Sequence, residues 1–121
     1  MNILEKNYPE ISFKTDSFDV KVMIDFIDIC TAQIKSSEDL KIKSAISILS
    51  GIHHKLTVKY YEKRNCKKEF IMKFKVYQIF TLYTLFAENN EKINKGKHFE
   101  FNLIDSLKNT FHQKMIGLWE V

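Results

Sequence analysis

The chain has 121 residues, 45% of them apolar and 28% charged, with a formal charge of +4. That length builds one domain over residues 1–121, in which folding hides roughly two-thirds of the unfolded surface, and the composition excludes a disordered chain. Three glycines and one proline are too few for the turns of an all-β sandwich or a Rossmann-type sheet, so helices are expected.

Charge is unevenly spread. Residues 1–40 hold four Lys against eight acids, net −4, while residues 41–75 hold nine Lys and Arg64 against Glu62 and Glu69, net +8. The remainder balances at five and five. A basic middle bears on partners, although eighteen Lys among nineteen basic residues, with abundant Asn, Ile and Phe, is also what an AT-rich genome encodes. Cys30 and Cys66 form no CxxC pair, and MNILEKNYPE carries no apolar run of signal-peptide type. The expectation is a cytoplasmic protein with reduced thiols.

Residues 1–15 read as an arm. Pro9 disfavours helical geometry at Tyr8, and Ile11 and Phe13 alternate with polar residues as a short extended piece does. Ile3, Leu4, Ile11 and Phe13 are expected to pack on the body. A first helix is predicted over 16–35, capped by Asp16, with Asp19 in its first turn. Val20, Met23, Ile27, Cys30 and Ile34 line one side, and Phe18, Val22, Phe26 and Ile29 an adjacent one. Asp25 and Asp28 share the polar arc with Lys21 and Lys35, as on a salt-bridged solvent face.

Ser37 offers the next cap. Ile42, Ala45, Ile46, Leu49, Ile52, Leu56 and Tyr60 then form a stripe that predicts one helix over 38–63, about 39 Å long, whose basic end overhangs. The central helix is predicted from Lys68 to Asn89. Its core, FIMKFKVYQIFTLYTLFA from Phe70 to Ala87, is apolar nearly all round if helical, so other helices should wrap it. Lys73, Lys75 and Gln78 interrupt it before it reaches the ~20 residues of a membrane span. A competing β-hairpin pairs the alternation Leu56, Val58, Tyr60 with Phe70, Met72, Phe74, Val76; the unbroken helical stripe decides against it. Residues 89–97 read as a loop. The last helix starts near Asn102, lined by Ile104, Leu107, Phe111, Met115 and Leu118, and stops at Gly117. The expected fold is all-α, a compact single-domain, four-helix bundle-like arrangement with an N-terminal arm.

No motif carries catalysis: there is no glycine-rich phosphate loop, no GxSxG and no HExxH. His53 and His54 point about 100° apart on a helix, so they cannot share a metal. His53 falls on the apolar stripe as a core histidine, and His98 and His112 have no ligand at metal spacing. Cys66 reads as an ordinary loop cysteine. No catalytic residue, metal or cofactor is expected. What stands out is a basic ridge of His54, Lys55, Lys59, Tyr61, Lys63, Arg64, Lys67, Lys68, Lys73 and Lys75, cations with an aromatic among them, suited to a phosphate backbone or an acidic protein. A single Arg is a poor set for bidentate reading of bases.

A short helical chain rich in Lys, Asn, Ile and Phe, with polarised charge and no catalytic motif, resembles the small inhibitors of phages and mobile elements of the anti-CRISPR type. The resemblance implies a non-enzymatic binder that blocks an RNA-guided nuclease or its guide complex by occupancy, so a protein or ribonucleoprotein partner and no membrane. Direct nucleic-acid binding through the same ridge, and a structural, assembly or toxin-neutralising role, are the alternatives.

Overall fold

The computed structural model describes residues 9–34 and 40–119. They form β1 (Glu10–Thr15), α1 (Ser17–Ile34), α2 (Leu40–Lys63), β2 (Phe70–Lys75), α3 (Val76–Ile93) and α4 (His98–Trp119). The chain is thus mostly helical, as expected, but not strictly all-α: β1 and β2 pair antiparallel in a two-stranded ribbon. The packing of Ile3 and Leu4 and the cap at Ser37 lie outside the described residues.

The ribbon is the main departure from the sequence reading. Phe70–Lys75 does not open the central helix; it is a strand, facing Thr15–Glu10 residue for residue. Period-two chemistry explains the choice. Ile11, Phe13 and Thr15 on β1 and Met72 and Phe74 on β2 are buried, while Ser12, Lys14, Ile71 and Lys73 are exposed. A helix would have spread these six residues around its circumference, pushing Lys73 or Lys75 towards the core. The alternation at Phe70, Met72 and Phe74 was a true strand signal whose partner is the arm, not residues 56–60, which are helical.

Two-stranded ribbons leave unpaired backbone on both edges. Val76 donates its N–H to Pro9 O at 3.3 Å, which sets the alternation of the ladder. Glu10, Ser12 and Lys14, with Lys75, Lys73 and Ile71 opposite, therefore turn their backbone groups outward. Helices satisfy several of these groups. The Lys55 ammonium of α2 donates to Lys73 O, and Lys114 of α4 donates to Ser12 O at 2.7 Å. The N–H of Lys75 donates to Gln78 Oε1 at 2.9 Å, which ends the strand and starts α3.

Inside, α1 packs on α2 and α3 on α4. An aromatic chain crosses the layers: Phe26 of α1 meets Phe86 of α3 at 5.1 Å, Phe86 meets Phe111 of α4 at 6.1 Å, and Phe111 meets Phe13 of β1 at 4.9 Å. Phe13 then stacks on Phe74 of β2 at 6.2 Å, with the Lys55 ammonium 4.7 Å from the Phe74 ring centre. Leu49, Ile52 and Leu56 of α2 fill the remaining side. The α2 stripe is therefore as expected along these positions, and the helix is continuous through the exposed Gly51.

Other boundaries shift. The Asp16 carboxylate caps α1 by accepting the Asp19 N–H at 2.8 Å, as expected. Phe18 and Ile29, read as a second apolar face, are largely exposed. α3 runs on to Ile93, so half of the expected loop is helix. The turn comes at Gly96, whose φ of 80° suits a residue without Cβ. Asn90 and Asn94, both buried, hold it: Asn94 donates to Asn90 Oδ1 at 2.7 Å and Asn90 to Phe101 O at 2.9 Å. α4 opens at His98 and passes through Gly117, which is not a stop. Finally, α3 is not wrapped all round: Tyr77 and Phe80 face solvent, while Ile79, Leu82, Leu85 and Phe86 are buried. Among the described residues, no helix is long and apolar enough to cross a membrane.

Candidate partner-binding face

The second half of α2 lies along β2, so two segments of the basic ridge become one surface. Lys55 reaches the Lys73 carbonyl and the Phe74 ring, and Lys63 lies 5.9 Å from the Phe70 ring centre. Burial holds the Lys55 ammonium below its ordinary pKa; Glu10 opposes that shift, and the cations of Lys59 and Lys75 add to it. Lys55 is thus largely a structural residue. Lys75 is also committed, with Glu10 at 3.1 Å, and that pairing lowers the pKa of the Glu10 carboxyl. Lys59 makes a looser pair with Glu62 at 3.7 Å.

Of the remaining cations, four lie within six residues at one corner: Lys63 ends α2, Arg64 follows it, and Lys67 and Lys68 are exposed in the link to β2, while Lys73 is apart from them on the outer face of the ribbon. Among the described residues none of these five makes an ion pair. Tyr61 is 62% exposed, with the Arg64 guanidinium 5.2 Å from its ring centre. Tyr60 meets Tyr61 edge to face at 5.6 Å and has the Lys21 ammonium 5.9 Å from its own ring. His54 is exposed but points about a quarter-turn away from Lys55; it shares the outer stripe of α2 with Val58 and Tyr61.

Strand register adds a residue that the sequence reading missed. Lys14 sits opposite Ile71 on the exposed face, two pairs along from the Ser12–Lys73 pair. The alternation in β1 carried the signal, but only its buried side was read. The same register sets Thr15 against Phe70, which brings Asp16, Asp19 and Glu69 together as a small acidic spot beside the basic corner. Burial, then the Asp16 carboxylate, pushes Asp19 up to about 6.

His53 is half-buried rather than a core residue. Its Nε2 lies 2.8 Å from Asp28 Oδ1, off the axis of a well-formed N–H···O bond, and its Nδ1 lies 3.5 Å from Thr57 Oγ1. Carboxylate, imidazole and hydroxyl in that order are the parts of a nucleophilic triad. Here the hydroxyl is distant, and it sits mid-helix, where the backbone amides are spent on helical bonds rather than free to bind an oxyanion. We read the trio as a tie between α1 and α2. Lys21 and Asp25 pair at 3.1 Å, as expected of the polar face of α1. Cys30 is buried, and burial pushes its thiol up to about 12. Cys66 is half-buried, its N–H donating to Lys63 O at 2.8 Å, and His112 stacks on Tyr83 at 5.5 Å. Among the described residues, no three His, Cys, Asp or Glu side chains gather in metal-holding fashion.

No protein-family model, no curated protein and no solved structure matches the chain.

Proposed function

We propose that the protein is a non-enzymatic binder that inhibits or regulates a nucleic-acid-handling partner by occupying it through the basic face, in the manner of the anti-CRISPR-type inhibitors it resembles. One observation carries the reading: Lys63, Arg64, Lys67 and Lys68 cluster at a single corner, beside an exposed tyrosine and without ion pairs among the described residues. Cations that only solubilise a helix are spread over its surface and paired along it at i, i+4; these four are concentrated where α2 ends. Replacing all four by Glu is expected to abolish recovery of a ribonucleoprotein partner in affinity purification while leaving the helical circular-dichroism signal unchanged. Equal recovery with the variant removes the face from the contact.

A second reading, assembly through apolar surface, has its own observation. Phe18 and Phe99, 59% and 57% exposed, meet edge to face at 5.4 Å beside a groove of about 240 Å³ floored by Phe26. Light scattering tests it: self-association lost in Phe18→Ser supports assembly, and a monomer at all concentrations excludes self-assembly.

A further inference from the structure

We infer that the corner of α2 and its link to β2 takes a single-stranded nucleic acid, with a base stacked on the Tyr61–Arg64 pair and the backbone along Lys67 and Lys68. This rests on the reading of the basic face as the contact surface and specifies its ligand.

Three observations converge. First, Tyr61 is the most exposed of the large apolar side chains in the described part of the chain. It is not greasy surface left over from folding: the Arg64 guanidinium lies over its ring and Tyr60 meets it edge to face, so its position is held from two sides. A fixed aromatic in contact with a guanidinium plane is a stacking surface for any nucleobase, because every base has a π-face and the cation reinforces the stack. Second, Arg64 at the tyrosine and the two lysines that follow it in the link make no ion pair among the described residues. Lys55 serves the ribbon edge, Lys75 holds Glu10 and Lys59 leans on Glu62, whereas Arg64, Lys67 and Lys68 are exposed. Third, carboxylates border the corner: Glu69 adjoins Lys68, Asp19 lies close to Glu69, and Glu62 follows Tyr61 on α2. The second charged backbone of a duplex would be repelled by them.

The tyrosine decides between partners. Bases within a duplex already have both faces stacked, so Tyr61 has nothing to gain from one, while a single strand offers unstacked bases. An acidic peptide pairs with the cations, but its carboxylates are repelled by the negative face of the Tyr61 ring. Specificity for sequence is expected to be slight, since stacking and point charges read no base edges.

The test is fluorescence anisotropy with a labelled 12-nucleotide oligo-U or oligo-dT, the matching duplex, and labelled poly-glutamate, at two salt concentrations. The single strand should bind more tightly than the duplex. Tyr61→Ala should weaken the single strand about ten-fold while Tyr61→Phe keeps it, and poly-glutamate binding should not respond to either. Lys67→Gln with Lys68→Gln should make the slope of log affinity against log salt shallower by about 1.4, the value for two phosphate contacts on a single strand. Equal affinity of Tyr61→Ala and parent for the single strand overturns the stacking site. Binding of poly-glutamate alone, lost when Lys63, Arg64, Lys67 and Lys68 become Glu, overturns the nucleic-acid ligand and keeps the basic face. Binding of none of the three probes also overturns the nucleic-acid ligand, while the basic face stands or falls on partner recovery with the four-Glu variant.

Discussion

Phe13→Ala is the sharpest test of the fold, because Phe13 is where β1 enters the core. The ring is 2% exposed, stacked on Phe74 at 6.2 Å and edge-on to Phe111 at 4.9 Å. Truncating a buried phenylalanine costs about 3–5 kcal/mol, within which the two ring pairs account for ~0.5–1.5 each. A domain of this size has roughly 6–18 kcal/mol in total, so the loss is a large fraction of it. With a urea slope of ~2 kcal/mol/M, the unfolding midpoint should fall by about 2 M at unchanged slope. Circular dichroism at 222 nm in a urea titration reads this directly. Lys14→Ala, one residue along on the exposed face, is the control and should stay within about 0.5 kcal/mol of the parent. If Phe13→Ala unfolds within ~0.3 M of the parent, or if the two variants behave alike, β1 is not a core element.

Two further outcomes concern charge and turns. Asp19 titrates near 6 in the fold against an ordinary 3.8, so the native state binds the extra proton between those values. Its contribution is therefore fully present below pH ~4 and lost as pH rises through 6, on the order of 1 kcal/mol once solvent screening is allowed for. Asp19→Asn should flatten that part of the profile, and the parent-minus-variant difference in urea midpoint at pH 4.5 and 7.5 isolates it; an identical difference at both pH values refutes the assignment. Gly96→Ala places a Cβ at a φ of 80° and should cost about 1 kcal/mol. Gly117→Ala, inside α4 with nothing within 4 Å of the new methyl, should instead stabilise by up to ~1 kcal/mol, and thermal melts of the pair should move in opposite directions.

Much of the helical layout was legible because long stripes repeat at 3.6. Val20, Met23 and Ile27, then Leu49, Ile52 and Leu56, then Ile104, Phe111 and Met115 are all buried where their spacing placed them. Phe70–Lys75 was misread because six residues of period two adjoin a true helix, and together they pass for one long apolar run. The pairing that settles the matter lies across the whole first half of the chain, where no local pattern reaches. Gln78, three residues after Lys75, was the one local sign that a helix starts there. Gly117 misled because glycine is tolerated inside an exposed helix, whereas the positive φ that only the structure reveals belongs to Gly96. At the basic face, sequence could count lysines but not see which of them fold the protein. Lys55 and Lys75 look no different from Lys67 and Lys68 until the ribbon is in place.

The ribbon also dictates an order of events at the ribosome. Glu10 and Lys75, which close one end of it, are 65 residues apart. At about 5–20 residues per second, β1 waits roughly 3–13 s after its own synthesis before β2 exists to receive it. During that interval α1 and α2 can pair, since they are neighbours in the chain, while Ile11 and Phe13 stay wet. A newborn chain arrested before Phe70 thus carries a strand with nowhere to go, flanked by Glu10 and Lys14, charges of the kind that discourage strands of separate chains from joining.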